Sequence, residues 1–199
     1  MKYEKSDITK NKIIEESAHL FNVQGYAPTS MSDIEKATGF TKGCIYGHFN
    51  SKDDIAVAAF DYNRRILIDN IKSQVRSTEG SIDKLKAIIH SYKKNVNTPQ
   101  FKGGCPILNT ATESDDSYEV LRPKVKQTLN IWSGTVEEII KNGIVAGEIN
   151  EDVQPKKIAS LFVSIYEGSI MLMKMYKDAQ HMNYAFEQLE NLIDEISKK

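Results

Sequence analysis

Apolar positions recur along this chain at the three- and four-residue spacing of helices, and alternation by two is not sustained anywhere. From about residue 8 to 23, Ile13, Ile14, Ala18, Leu20 and Phe21 make one apolar face, and Gly25 ends that helix. Ile34 and Ala37 share a face of a short helix over 31–38, and Gly39 supplies the backbone freedom for a sharp turn out of it. A second short helix, over 41–48, directs Ile45 and Phe49 inward and leaves Lys42, Gly43, Tyr46 and His48 facing outward. Ser51-x-x-Asp54 has the form of a capping box and opens a long helix through Ile55, Ala58, Ala59, Tyr62, Ile66 and Ile71 to about residue 77. Gly80 and Ser81 break it. The next helix covers 82–96 and stops at Asn97-Thr98-Pro99. After a flexible Lys102-Gly103-Gly104 turn comes a short one over 106–112, closed by Ser114-Asp115-Asp116-Ser117. Val125, Leu129, Trp132, Val136, Ile139 and Ile140 then form a stripe that Gly147 caps, and Pro155 suits the first turn of the following helix. A last helix carries Phe186, Leu189, Leu192, Ile193 and Ile196. The expectation is an all-α chain of nine helices with no strand.

Two short helices joined by a glycine turn, the second presenting cationic and aromatic donors, make a helix-turn-helix. Thr29, Met31, Ile34, Gly39, Phe40, Thr41, Lys42, Gly43, Ile45, Tyr46, His48, Phe49, Ser51, Lys52 and Asp53 stand in register with a family pattern. That run resembles the DNA-binding segment of TetR-family transcriptional regulators. It departs at Glu35 and Thr38, where the family usually has alanines, and at Gly47, where a polar or basic side chain is common.

The resemblance implies a nine-helix architecture, with a helix-turn-helix head over 1–52 and a helical effector-binding and dimerisation body over 53–199. The helix over 51–77 would link the two. It implies a homodimeric repressor on a roughly palindromic double-stranded DNA operator, and the expected release is by an effector, or by modification at Cys105, that shifts the body's helices and tilts the linking helix. Thr29 and Thr41 would give hydroxyls to phosphates, and Lys42 would neutralise a phosphate or reach a base edge. Gly43 would permit close approach to the groove, Tyr46 and His48 would bond the backbone, and Lys52 would add a phosphate contact. In the family the last two helices meet their copies in a four-helix interface. That would place Ile158, Leu161, Ile165, Gly168, Leu172, Phe186, Leu189 and Ile193 at the dimer contact. The residues themselves agree: 158–176 is apolar nearly all round and must be covered on every side, either by a partner or within one chain.

Composition narrows the field. A chain of 199 residues with 40% hydrophobic content can bury a sizeable core, and no 18-residue apolar run or basic-apolar-small leader is evident. A soluble, cytoplasmic protein with no membrane partner is expected. Net charge is only −1, and residues 1–52 hold seven Lys/Arg against six Asp/Glu, so DNA binding must come from a local cluster rather than a broad basic field.

Tyr92, Leu108, Thr112, Trp132, Phe162, Tyr166 and Met173 would line a cavity for a small, mostly apolar effector, or else pack as core. No carboxylate, lysine or arginine is read in that stripe. Cys105, in Gly103-Gly104-Cys105-Pro106, is either a thiol activated at a helix start and open to modification, or a small buried hydrophobe. Two cysteines, Cys44 and Cys105, make neither a disulfide framework nor a zinc site, and the four histidines are scattered. Glu113, Asp115 and Asp116 read as helix-terminal caps and a solvated turn. No metal-ligand spacing, phosphate loop or nucleophile elbow points to an enzyme, a metal or a cofactor. The alternative to a regulator is a helical interaction module of the same fold that binds no specific operator.

Overall fold

The computed structural model describes the backbone of residues 2–95 and 102–198, and the side chains of residues 6–91 and 102–198. Among these residues the chain forms nine α-helices: α1 (Lys2–Gln24), α2 (Met31–Thr38), α3 (Lys42–Tyr46), α4 (Lys52–Arg76), α5 (Ser81–Asn95), α6 (Pro106–Asp116), α7 (Arg122–Val145), α8 (Pro155–Tyr176) and α9 (Gln180–Ile196). A 3-10 turn (Glu119–Leu121) leads into α7, and an isolated bridge between Ile149 and Ser197 is the strand-like pairing among the described residues. The all-α expectation therefore holds. α6 runs on through Ser114, Asp115 and Asp116 instead of ending before them. The expected stop at Asn97-Thr98-Pro99 lies outside the described residues.

The backbone divides into two compact units, one of residues 1–67 with 97–126 and one of 68–96 with 127–199. The boundary expected at 52/53 cuts through the first unit, which takes in the greater part of α4 and all of α6. Its core is built from one apolar stripe per helix. Ile13, Ala18 and Phe21 of α1 are buried with Ile34 of α2, Ile45 of α3, and Ile55, Ala59 and Phe60 of α4. Each isoleucine or phenylalanine side chain so buried contributes about 1.5–3 kcal/mol.

α6 is stitched to the turn after α1. Phe21 stacks on Tyr26 at 4.7 Å between centroids, and Tyr26 stacks on Tyr118 at 5.7 Å. The Glu113 carboxylate accepts the backbone N–H groups of Tyr26 (2.8 Å) and Ala27 (2.6 Å). The Tyr118 hydroxyl donates to the Asp53 carboxylate at the start of α4. Asn109 Nδ2 reaches the side-chain and backbone oxygens of Asn22 (2.9 and 3.2 Å), and Asn22 Nδ2 donates to the Gly104 carbonyl at 3.1 Å. Gly103 is buried here rather than a flexible joint: a Cβ on it would lie 2.0 Å from the Asn22 carbonyl oxygen.

In the second unit α8 packs along α9. Trp132 meets Tyr166 edge-on at 5.0 Å, and Tyr166 stacks on Phe186 at 5.7 Å. Val136 and Ile140 of α7, Phe162 and Ile170 of α8, and Leu189 and Ile193 of α9 complete a buried layer. Glu148 caps α5 by accepting the Ser81 N–H at 2.5 Å, and the Ile149–Ser197 bridge ties the α7–α8 loop to the end of α9. Pro155–Tyr176 is long and apolar enough to cross a membrane by length and composition, although Glu167 interrupts its apolar run. In the fold its apolar residues divide between the α9 contact and an outward stripe.

Candidate nucleic-acid interface

The helix-turn-helix is held at each corner by a specific local bond. Ser30 caps α2 in a reciprocal box with Asp33: the Asp33 N–H reaches Ser30 Oγ at 3.2 Å, and the Ser30 N–H reaches Asp33 Oδ2 at 2.9 Å. Gly39 ends α2 in the left-handed conformation, φ 72°, with its N–H on the Glu35 carbonyl, as a sharp exit requires. Thr41 caps α3 by accepting the Cys44 N–H at 3.3 Å. Thr38, where the family usually has alanine, turns its hydroxyl onto the Ile34 carbonyl at 2.8 Å and stays buried. Ser51 caps α4 through the Asp54 N–H, while Asp54 reaches back to Asn50 rather than to Ser51.

α3 thus presents one outward surface. Thr41, Lys42, Gly43 and Tyr46 are exposed along it, and Ile45 opposite is fully buried. Lys42 Nζ lies 5.9 Å from the centroid of the Tyr46 ring, a cation on an aromatic face. A Cβ on Gly43 would meet nothing within 4 Å, so the chain's own packing does not require glycine there. His48 is half-buried beside this surface.

Two residues assigned to phosphate contacts are engaged by the chain's own backbone, Thr29 in the interior and Lys52 at the surface. Thr29 is 1% exposed and donates its hydroxyl to the Gly25 carbonyl at 2.5 Å, so it braces the α1–α2 turn. The Lys52 ammonium donates to the Ala27 carbonyl at 3.1 Å and sits 5.5 Å above the Tyr118 ring. Partial burial holds its pKa below the ordinary lysine value, against the opposing pull of Asp53 and Glu113. Both are held by the first unit's own backbone, and the family motif they match gives no sign of it.

The residues assigned to an effector pocket fall in both units. Cys105, Leu108 and Thr112 belong to the first. Cys105 is fully buried at the start of α6, Leu108 is half-buried, and Thr112 is exposed with its hydroxyl on the Asn109 carbonyl at 3.0 Å, which corrects its reading as a cavity wall. Trp132, Phe162 and Tyr166 are buried in the second unit and Met173 half-buried; the Tyr92 side chain lies outside the described residues. The stripe also holds a carboxylate that the sequence reading missed. Glu167 is buried on α8, and the available signal was its being the sole charged residue between Ile158 and Met173.

Of the residues assigned to a dimer contact, Phe186, Leu189 and Ile193 are buried within their own chain. They form the α9 side of the core and have no surface to offer a partner. Leu161 and Leu172 are exposed, with Ile158, Ile165 and Gly168 half-exposed; Met171, Met175 and Tyr176 are exposed as well.

A helix-turn-helix of this form on an all-α body defines a DNA-binding regulator rather than an enzyme. Residues 13–59 match the model for bacterial regulatory proteins of the tetR family, and residues 81–189 match the tetracyclin repressor-like C-terminal domain. The chain belongs to the TetR family of transcriptional regulators. It is similar to a solved TetR-family regulator from Cytophaga hutchinsonii, with 38% identity, 98% of each chain covered and a TM-score of 0.91. One from Chloroflexus aurantiacus is similar at 35% identity, again with 98% of each chain covered and a TM-score of 0.92. An uncharacterized HTH-type transcriptional regulator of Bacillus subtilis is 25% identical over 93% of this chain and 95% of its own length.

Proposed function

We propose that this protein is a cytoplasmic homodimeric repressor whose two heads read the halves of a roughly palindromic duplex operator, and that a small, mostly apolar effector releases it. One observation carries the reading: the exposed row of Thr41, Lys42, Gly43 and Tyr46 on a helix locked in place by Ile45. A helix fits the major groove, where a lysine reaches guanine acceptors or a phosphate and hydroxyls bond the backbone. Near-neutral net charge puts the burden of affinity on this row. The outward stripe of α8, from Leu161 through Gly168 to Leu172, Met175 and Tyr176, is a surface that a two-fold copy of itself could cover. Repression rather than activation is inferred from the family alone, and the repressor-like C-terminal match supports it.

Between release by a ligand and release by thiol modification, the complete burial of Cys105 favours the ligand, because a reagent would reach the sulfur only after local opening. The buried aromatic group of Trp132, Phe162 and Tyr166 supports an apolar effector, and such a molecule must favour the released state by about 1–3 kcal/mol to switch the protein usefully. The test is selection of binding sites from a random duplex pool by the purified protein. An enriched inverted repeat is expected. Absence of any enrichment at low salt would overturn the reading in favour of a helical interaction module that binds no specific operator.

A further inference from the structure

The start of α3 already carries an anion that belongs to the chain. Glu35, half-buried on α2, places Oε1 2.5 Å from the backbone N of Lys42 and accepts its N–H. The Cys44 amide is held by Thr41, so the opening turn of this five-residue helix is tied down by two side chains of the protein itself. Glu35 therefore does two things. It bonds α2 to α3, which sets the angle of the reading helix. It also fixes a negative charge beside Thr41 and Lys42, on the surface that would face a polyanion. Alanine, the residue the family usually has here, would do neither.

We propose that Glu35 governs affinity and specificity: it positions α3 while repelling phosphates, lowering affinity for any duplex and leaving discrimination to base-edge contacts. This rests on α3 being the DNA-reading helix. Non-specific affinity comes from phosphate neutralisation, whereas base edges carry sequence information, so a carboxylate at this point weakens the first contribution more than the second.

Replacing Glu35 with glutamine separates the two roles, because the amide oxygen can still accept the Lys42 N–H while the charge is gone. Replacing it with alanine removes both. Binding of a labelled random-sequence duplex and of a selected operator duplex is measured across a salt series for the parent, Glu35→Gln and Glu35→Ala. The expected result is that Glu35→Gln binds random duplex about threefold or more tightly at low salt, with a steeper salt dependence and a smaller operator-to-random ratio. Glu35→Ala is expected to bind operator less tightly than Glu35→Gln, because α3 has lost its tether. An unchanged or shallower salt dependence in Glu35→Gln, with random-duplex affinity equal to or below the parent's, would overturn the proposal while leaving the DNA-binding reading intact. A parent protein that binds neither duplex at low salt would overturn both.

Discussion

Glu113 is the side chain whose removal should cost most for the least change in bulk. It sits on α6, yet its two oxygens accept the N–H groups of Tyr26 and Ala27, 87 and 86 residues earlier in the chain. Glu113→Ala deletes both bonds and leaves two amides without an acceptor. A hydrogen bond to a charged group contributes about 1.5–3 kcal/mol, and a buried amide left unpaired costs its desolvation as well. The Ala27 amide is exposed and water replaces its partner, so it counts at the bottom of that range or below; the Tyr26 amide is partly buried and counts fully. The sum is about 2–3 kcal/mol. In a chain of this length each kcal/mol moves the melting midpoint by about 2–4 °C, so a fall of roughly 4–12 °C is expected. Glu113→Gln keeps one acceptor oxygen and should lose about half as much. Thermal unfolding followed by circular dichroism gives the midpoint, and amide hydrogen exchange at residues 26 and 27 locates the loss. A Glu113→Ala protein melting within about 1 °C of the parent, with those amides exchanging no faster, would refute the idea that this carboxylate closes the α1–α2 turn.

Three further outcomes follow from the same structure. Gly43→Ala should raise stability by up to about 0.5 kcal/mol, since a glycine in the first turn of a helix is replaced where a Cβ meets nothing, yet weaken operator binding if α3 enters the groove as proposed, because the methyl would then stand toward the DNA; denaturant titration and DNA titration moving in the same direction would contradict this. Gly103→Ala should lower stability by about 1–3 kcal/mol or more, because its Cβ would fall on the Asn22 backbone, and an unchanged urea midpoint would show that the α1–α6 seam yields freely. The Ser30 hydroxyl and N–H hold the Asp33 carboxyl below its ordinary pKa, so the α2 cap contributes fully above about pH 4 and loses that contribution as pH falls through the lowered value. Asp33→Asn should therefore flatten the acid limb of the stability–pH curve, and an identical limb in both proteins would count against it.

Most helix positions were legible in the sequence because the helices carry three-and-four apolar spacing and several have a stop signal, as Gly39 and Gly147 illustrate, whereas α6 ran through its expected stop. The surface of α3 was legible for the same reason: burying Ile45 forces Lys42, Gly43 and Tyr46 outward. The partnership of α6 with α1 was not. Asn22 and Asn109, or Tyr26 and Glu113, are joined by polar bonds across more than eighty residues, and no local periodicity encodes such a pair. Glu113 followed by Asp115 and Asp116 looks like a solvated helix end, and only the folded chain brings the turn amides to the first of the three. The internal partners of Thr29 and Lys52 were not legible for a related reason. A motif match preserves residue type, but a hydroxyl or an ammonium suits a backbone carbonyl as well as a phosphate. The outward side of α8 was legible as apolar, whereas α9 misled, because Phe186, Leu189 and Ile193 have the same spacing whether they face a partner or their own core.

The interleaving of the first unit has a consequence for how the protein comes into being on the ribosome. α3 ends at Tyr46, but the residues that close the turn in front of the helix-turn-helix, Asn109, Glu113 and Tyr118, are translated long afterwards. At about 5–20 residues per second, the stretch from residue 67 to 126 adds on the order of 3–12 seconds during which the nascent head has α1 to α3 and most of α4 but lacks α6. A chain broken before that point would carry every residue of the helix-turn-helix but none of the α6 bonds that close the α1–α2 turn. By the same logic, transplanting this head onto another body would have to carry α6 with it.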